Sequence, residues 1–137
     1  MRVVIDTNVI VTALLNPYGI PAEILRLVLS GGIVPVYDSR IINEYREVLS
    51  RPKFKFNMMN IDIIIKEIEV TGSLVLPAPL KFSLPDPDDN IFLEAAIAAE
   101  AVCMITGNKT HFPGRLCSAI RVCSPSEFVR FYKRSKK

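Results

Sequence analysis

The chain has 137 residues, half of them hydrophobic, and a net charge of +3. Those values fit one domain, residues 1–137, with a sizeable core, and they exclude a low-complexity or disordered protein. No stretch is long and apolar enough to span a membrane.

Arg2 to Asp6 reads as the first strand. Its apolar run Val3-Val4-Ile5 suits a buried parallel strand. Met1 and Arg2 lead straight into it, so no signal peptide is expected and a cytoplasmic location is. Thr7 or Asn8 caps a short helix to Leu15, which Asn16-Pro17-Tyr18-Gly19 breaks. Pro21 suits the first turn of a helix ending at Gly31-Gly32. Ile33 to Tyr37 reads as strand two. Asp38 or Ser39 caps a helix with Ile41, Ile42, Tyr45, Val48 and Leu49 on one stripe, and Pro52 ends it. Asn60 starts another helix, with Ile61, Ile64, Ile65 and Ile68 at helical spacing. Ser73 to Leu76 is a short strand, and residues 77–87 are proline-rich and irregular. Asp88 or Asp89 caps the apolar helix Ile91–Glu100. Val102 to Thr106 and Ile120 to Cys123 are further strands. Ser124-Pro125-Ser126-Glu127 is a capping box that starts a final helix running into a basic tail at about 130–137. Such alternation implies a three-layer α/β/α sandwich with a mostly parallel central sheet.

The three cysteines, Cys103, Cys117 and Cys123, are odd in number and lack a C-x-x-C spacing. They read as buried free thiols of a reducing compartment. His111 is the only histidine, so a zinc site is not expected. It reads as a loop residue rather than a general base.

Several acids occupy special places. Asp6 stands at a strand tip, where open α/β sheets place their sites. Glu44 falls at the edge of its helix's apolar stripe, while Glu47 points further out. Asp86, Asp88 and Asp89 cluster just before a buried helix, and one of the last two is expected to do no more than cap it. Thr106-Gly107-Asn108 supplies small polar groups at another strand tip. Carboxylates gathered there repel and raise one another's pKa, and a bound cation removes the conflict. All-oxygen ligands favour Mg²⁺ or Mn²⁺, ions suited to phosphodiester hydrolysis. Asp62, Glu67 and Glu69 read as a solvated face, and Glu94 as an acid that snorkels to the surface.

Basic residues fall into groups that suit a polyanion. Arg46, Arg51, Lys53 and Lys55 surround Arg-Pro-Lys-Phe-Lys-Phe. Arg130, Lys133, Arg134, Lys136 and Lys137 crowd the end with no acid among them. With Lys109, the residues Arg46, Arg51, Lys53, Arg130, Lys133 and Arg134 are the candidates for nucleic-acid binding.

Val-Ile-Asp6-Thr7-Asn8-Val, a mid-chain Glu44, Asp86-Pro-Asp88-Asp89 before an alanine-rich helix, and Met-Ile-Thr106-Gly107-Asn108 together resemble the PIN domain. The resemblance covers nearly the whole chain and is closest to the branch of VapC-like toxin ribonucleases of toxin–antitoxin systems. It implies a parallel sheet flanked by helices and a metal-dependent ribonuclease, often dimeric, with RNA and an antitoxin protein as partners. It implies Asp6, Glu44 and Asp89 as the core catalytic acids and Mg²⁺ or Mn²⁺ ligands, with Asp86 or Asp88 able to share the third role. Thr7 or Asn8 is implied to orient Asp6 or a water. Many relatives carry a fourth acid after the strand ending at Thr106, where Asn108 is the nearest candidate here. That departure supports a competing expectation, an RNA-binding or protein-interaction module whose metal site has decayed. An aspartyl-nucleophile phosphatase fits less well, because such enzymes carry a second Asp where this chain has Asn8.

Overall fold

β-branched and apolar runs at the chain's start, middle and end pair into one five-stranded sheet in the computed structural model, which describes residues 1–136. The elements are β1 (Arg2–Ile5), α1 (Thr7–Leu15), α2 (Ile20–Ser30), β2 (Val34–Tyr37), α3 (Ser39–Leu49), α4 (Met58–Thr71), β3 (Ser73–Leu74), α5 (Asn90–Ala99), β4 (Cys103–Ile105), β5 (Val122–Cys123) and α6 (Pro125–Ser135). The strand order is β3-β2-β1-β4-β5, and every pairing is parallel. The expected three-layer α/β/α sandwich is borne out, with a sheet wholly rather than mostly parallel.

The order matters for function. From β1 the chain adds strands outward to β2 and β3, then returns to add β4 on the other side of β1. The order therefore reverses between β1 and β4, and open parallel sheets bind ligands in the crevice beside strand C-termini at such a point. Asp6 and Thr106 directly follow those two strands.

The register Val3↔Cys103, Val4↔Met104, Ile5↔Ile105 buries these six residues completely or nearly so, while Arg2 at the start of β1 is exposed. Ile24, Val28, Ile61, Ile65, Ile68, Phe92, Leu93 and Phe128 pack the core from the helices. Burying each such side chain stabilises the fold by roughly 1.5–3 kcal/mol before entropy is counted. Gly72 lets α4 turn into β3. A Cβ there would stand 2.4 Å from the Ile68 carbonyl oxygen and 2.5 Å from that of Pro35.

Several boundaries differ from the sequence reading. α4 begins at Met58, not Asn60, because Asn57 accepts the Met59 and Asn60 backbone N–H groups. β3 stops at Leu74 and β5 begins at Val122. Residues 130–135 are helical, so the basic tail up to Ser135 is the last turns of α6. Lys137 lies outside the described residues. Cys103, Cys117 and Cys123 are buried free thiols, as expected. Among the described residues, no helix is long and apolar enough to cross a membrane.

Candidate metal centre

The short loop after β1 turns directly into α1, which leaves Asp6 at the N-cap position. Its side chain makes no cap hydrogen bond. Instead the Thr106 hydroxyl, at the tip of β4, donates to Asp6 Oδ2 at 2.8 Å. The carboxyl is buried, and burial is the main reason that its pKa lies above the ordinary range. The Thr106 hydroxyl and the Thr7 backbone N–H work against that rise, Glu44 adds to it, and His111 opposes it.

Glu44 leans over the sheet end from α3, while Glu47, on the same helix, is exposed and pairs with Arg51. The Thr7 hydroxyl donates to Glu44 Oε2 at 2.5 Å. Thr7 thus orients Glu44, and Thr106 orients Asp6, a division that the sequence reading had not made. Asn8 has another duty. Its Oδ1 accepts the Gly107 N–H at 3.2 Å and ties the loops after β1 and β4 together. Below them, the buried Tyr45 hydroxyl donates to the Ile5 carbonyl at 2.5 Å.

The Asp86-Asp88-Asp89 cluster separates by role. Asp86 Oδ1 accepts the Asp88 N–H at 3.0 Å and caps the tight turn Pro87–Asp89. Asp86 and Asp88 are both exposed. Neither Asp88 nor Asp89 caps α5 through its side chain, contrary to expectation, because Asp86 takes the capping role one turn earlier. Asp89 is the inward member, with a side chain 14% exposed. Its Oδ2 is buried and lacks a hydrogen-bond partner among the described residues. His111 Nδ1 stands 3.2 Å from that oxygen, close enough for attraction when protonated but outside hydrogen-bond geometry. Burial, then Asp6 and Asp86, push the Asp89 carboxyl up to about 6, against the pull of His111.

His111 is a loop residue, as the sequence reading had it, but its approach to Asp89 was not foreseen. It sits in a short turn, Lys109–His111, that shows no periodicity. Its nearness to Asn108 in the chain was the available signal. Asn108 is engaged on both sides: its Oδ1 accepts from the Thr110 hydroxyl at 2.6 Å, and its Nδ2 lies 3.0 Å from His111 Nε2. The place of a fourth acid is therefore filled by an amide already partnered within its own loop.

Asp6 stands at the switch point, with Glu44 and Asp89 each near enough to interact with its charge, and Thr106 and Thr7 donate hydroxyls to Asp6 and Glu44. The donor set is all oxygen, which suits a hard divalent cation. The Asp89 oxygen without a hydrogen bond, and the raised Asp6 and Asp89 pKa values that His111 offsets only in part, mark a place where a cation would be favoured, so the residues fit such an ion. Among the described residues, no group of three or more His, Cys, Asp or Glu side chains is placed to hold a metal ion on its own.

Away from the crevice, Glu94 does not snorkel. It is buried, and Oε1 accepts from Arg40 at 2.7 Å while Oε2 accepts the Leu80 N–H at 3.0 Å. The same Arg40 pairs with Asp38 at 2.7 Å. Of the basic candidates, Arg46 pairs with Asp62, Arg51 with Glu47, and Lys109 with Glu127. Lys53 lies over the Phe54 ring. Arg130, Lys133 and Arg134 are exposed on α6.

Residues 2–110 match the family model described as the PIN domain. The chain is also 35% identical over 112 residues to the uncharacterized protein MJ1680 of Methanocaldococcus jannaschii, an alignment covering 80% of this chain and 72% of that protein. PIN domains are generally nucleases and typically use divalent metal ions. The parallel sheet, its reversal at β1 and the acids gathered there agree with that match: the chain belongs to the PIN domain family.

Proposed function

We propose that the protein is an Mg²⁺- or Mn²⁺-dependent endoribonuclease, the toxin component of a toxin–antitoxin system. The observation that carries the nuclease reading is the buried, unpartnered Asp89 Oδ2 near Asp6, two carboxyls whose pKa values are both raised. Such a pair is costly to keep without a cation. Asp6 and Asp89 would hold the ion, with Glu44 beside them. When bound, the cation supplies Lewis acidity to the scissile phosphate. Thr106 fixes the Asp6 carboxylate and Thr7 the Glu44 carboxylate, so neither must reorganise when substrate arrives. Glu44 Oε1 is the candidate to accept a proton from the attacking water. Asp86 and Asp88, exposed on the adjoining turn, add negative potential rather than direct ligation.

The toxin role and an antitoxin partner rest on the likeness of the chain's motif order to that branch of the family. A homodimer is supported by exposed Met59, Ile63 and Val70, which recur at helical spacing along α4.

Calorimetric titration with Mn²⁺ tests the site. Asp6→Asn should weaken binding about tenfold or more, roughly 1.4 kcal/mol. Asp6→Asn and Glu44→Gln should each remove metal-dependent RNA cleavage while circular dichroism stays unchanged. Equal Mn²⁺ affinity in the wild type and Asp6→Asn would refute the reading. A second reading, a weak or inactive RNA-binding module, is favoured by one observation, the engagement of Asn108 with Thr110 and His111. It predicts RNA binding without metal-dependent cleavage.

A further inference from the structure

The family match ends at residue 110, yet the chain goes on to build β5 and α6. Between them lies a groove of about 390 Å³ lined by Arg121, Cys123, Glu127, Arg130, Phe131 and Arg134. Arg121, Arg130 and Arg134 are exposed, and among the described residues none forms an ion pair. Glu127, the one acid lining it, is already committed. Lys109 Nζ lies 3.0 Å from its Oε1, and the Ser124 N–H donates to the same oxygen at 2.8 Å. Those contacts hold the Glu127 pKa down at about 2 and leave the arginines unneutralised. The Arg121 guanidinium stacks over the Phe131 ring, 4.9 Å from its centroid.

We propose that this groove holds the backbone of single-stranded RNA, as an exit or entry path for the strand cut at the acidic crevice. The inference rests on the nuclease reading above. Three features carry it. Three arginines spaced along one groove match a run of phosphates, since each guanidinium offers a planar fork of donors. The Arg121–Phe131 stack offers a flat surface to an unstacked base, which a single strand presents and a duplex does not. Position joins the groove to the crevice: Lys109 follows Asn108 in the loop after β4, and its bridge to Glu127 places that loop at the groove's wall. β5 is also the sheet's edge, so no further strand closes the groove on that side.

The test is fluorescence anisotropy of a labelled single-stranded ribo-oligonucleotide with the full chain in EDTA, where cleavage cannot occur. Arg121→Ala/Arg130→Ala/Arg134→Ala should weaken binding about tenfold at 0.1 M salt, and lower the salt slope by about 2, from roughly 0.7 per single-strand phosphate contact. The matching triple lysine variant should keep the slope. A slope unchanged in the alanine variant, or lost equally in the lysine variant, would overturn the groove. So would duplex RNA binding as tightly as the single strand, or an equal loss for a protein whose groove arginines are intact but whose tail is cut after Arg134. Calorimetric titration of the wild type with Mn²⁺ separates the two claims. The anisotropy in EDTA reads the groove with no metal bound, so a groove failure leaves the nuclease reading standing, and a wild type that binds no Mn²⁺ defeats that reading alone.

Discussion

Asp6 and Asp38 occupy equivalent places and behave in opposite ways. Each directly follows a parallel strand, β1 or β2, and each sits at the N-cap of the next helix. Both are buried. Asp38 accepts the Ile41 N–H at 2.9 Å as a cap and pairs with Arg40. Asp6 makes no cap bond and meets a hydroxyl and other acids instead. The contrast repeats on α5. Glu94 has both oxygens partnered, by Arg40 and by the Leu80 N–H, whereas Asp89, at the helix start, has a buried oxygen with none. One pair of acids is complete as part of the fold. The other leaves a buried oxygen without a hydrogen bond, where the proposed cation would sit. Burial alone does not distinguish a structural acid from a functional one; the identity of its partners does.

Breaking this contrast at its functional end has the largest expected effect. Asp6→Asn should lower the metal-dependent cleavage rate by a factor of about 100 or more, roughly 2.7 kcal/mol in the barrier. Asp38→Asn should leave Mn²⁺ affinity within about twofold. A rate assay and calorimetry on both variants check this. At the structural end, Arg40→Ala strands the Asp38 and Glu94 charges. Losing a partner of a buried ion pair costs about 3–5 kcal/mol, and because Arg40 is half exposed and solvent screens it, a smaller loss of about 2 kcal/mol is expected from urea denaturation. Metal affinity should hardly change.

Protonation sharpens the contrast further. The Asp89 carboxyl sits at about 6 in the fold and near 3.8 ordinarily, so the folded state binds its proton more tightly. Between about pH 4 and 6 the metal-free protein therefore loses stability as pH rises, and the full penalty stands above pH 6. With screening taken into account, it amounts to about 1–2 kcal/mol. Asp89→Asn should recover that much at pH 7.5 without metal, and saturating Mn²⁺ should flatten the wild-type pH profile. Denaturation curves with and without chelator measure both. The smallest effect belongs to Asn108→Asp. Supplying a charge beside His111 should raise cleavage at low Mn²⁺ by less than about tenfold. Superimposable rate curves would show that Asn108 serves only its own loop.

Much of this was legible in the chain because short-range rules govern it. The run Val3-Val4-Ile5 and the helical stripe of Ile41, Tyr45 and Leu49 locate β1 and α3, and with them Asp6 and Glu44. Alternating strands and helices give the parallel sandwich. What was not legible depends on long-range or irregular contacts. That Asp89 rather than Asp86 or Asp88 turns inward follows from one tight turn, in which Asp86 spends its oxygen on the Asp88 N–H. Glu94 was expected at the surface because its partner Arg40 lies 54 residues away in sequence. His111 reaches Asp89 through a turn that carries no periodic signal.

The most direct test is the location of the ion. In a crystal of the full chain soaked in Mn²⁺, the anomalous difference map should show one strong peak within ligation distance of Asp6 and Asp89, and none beside Asp38 and Glu94. A map with no peak at Asp6 and Asp89, or with its strongest peak elsewhere, would contradict the account.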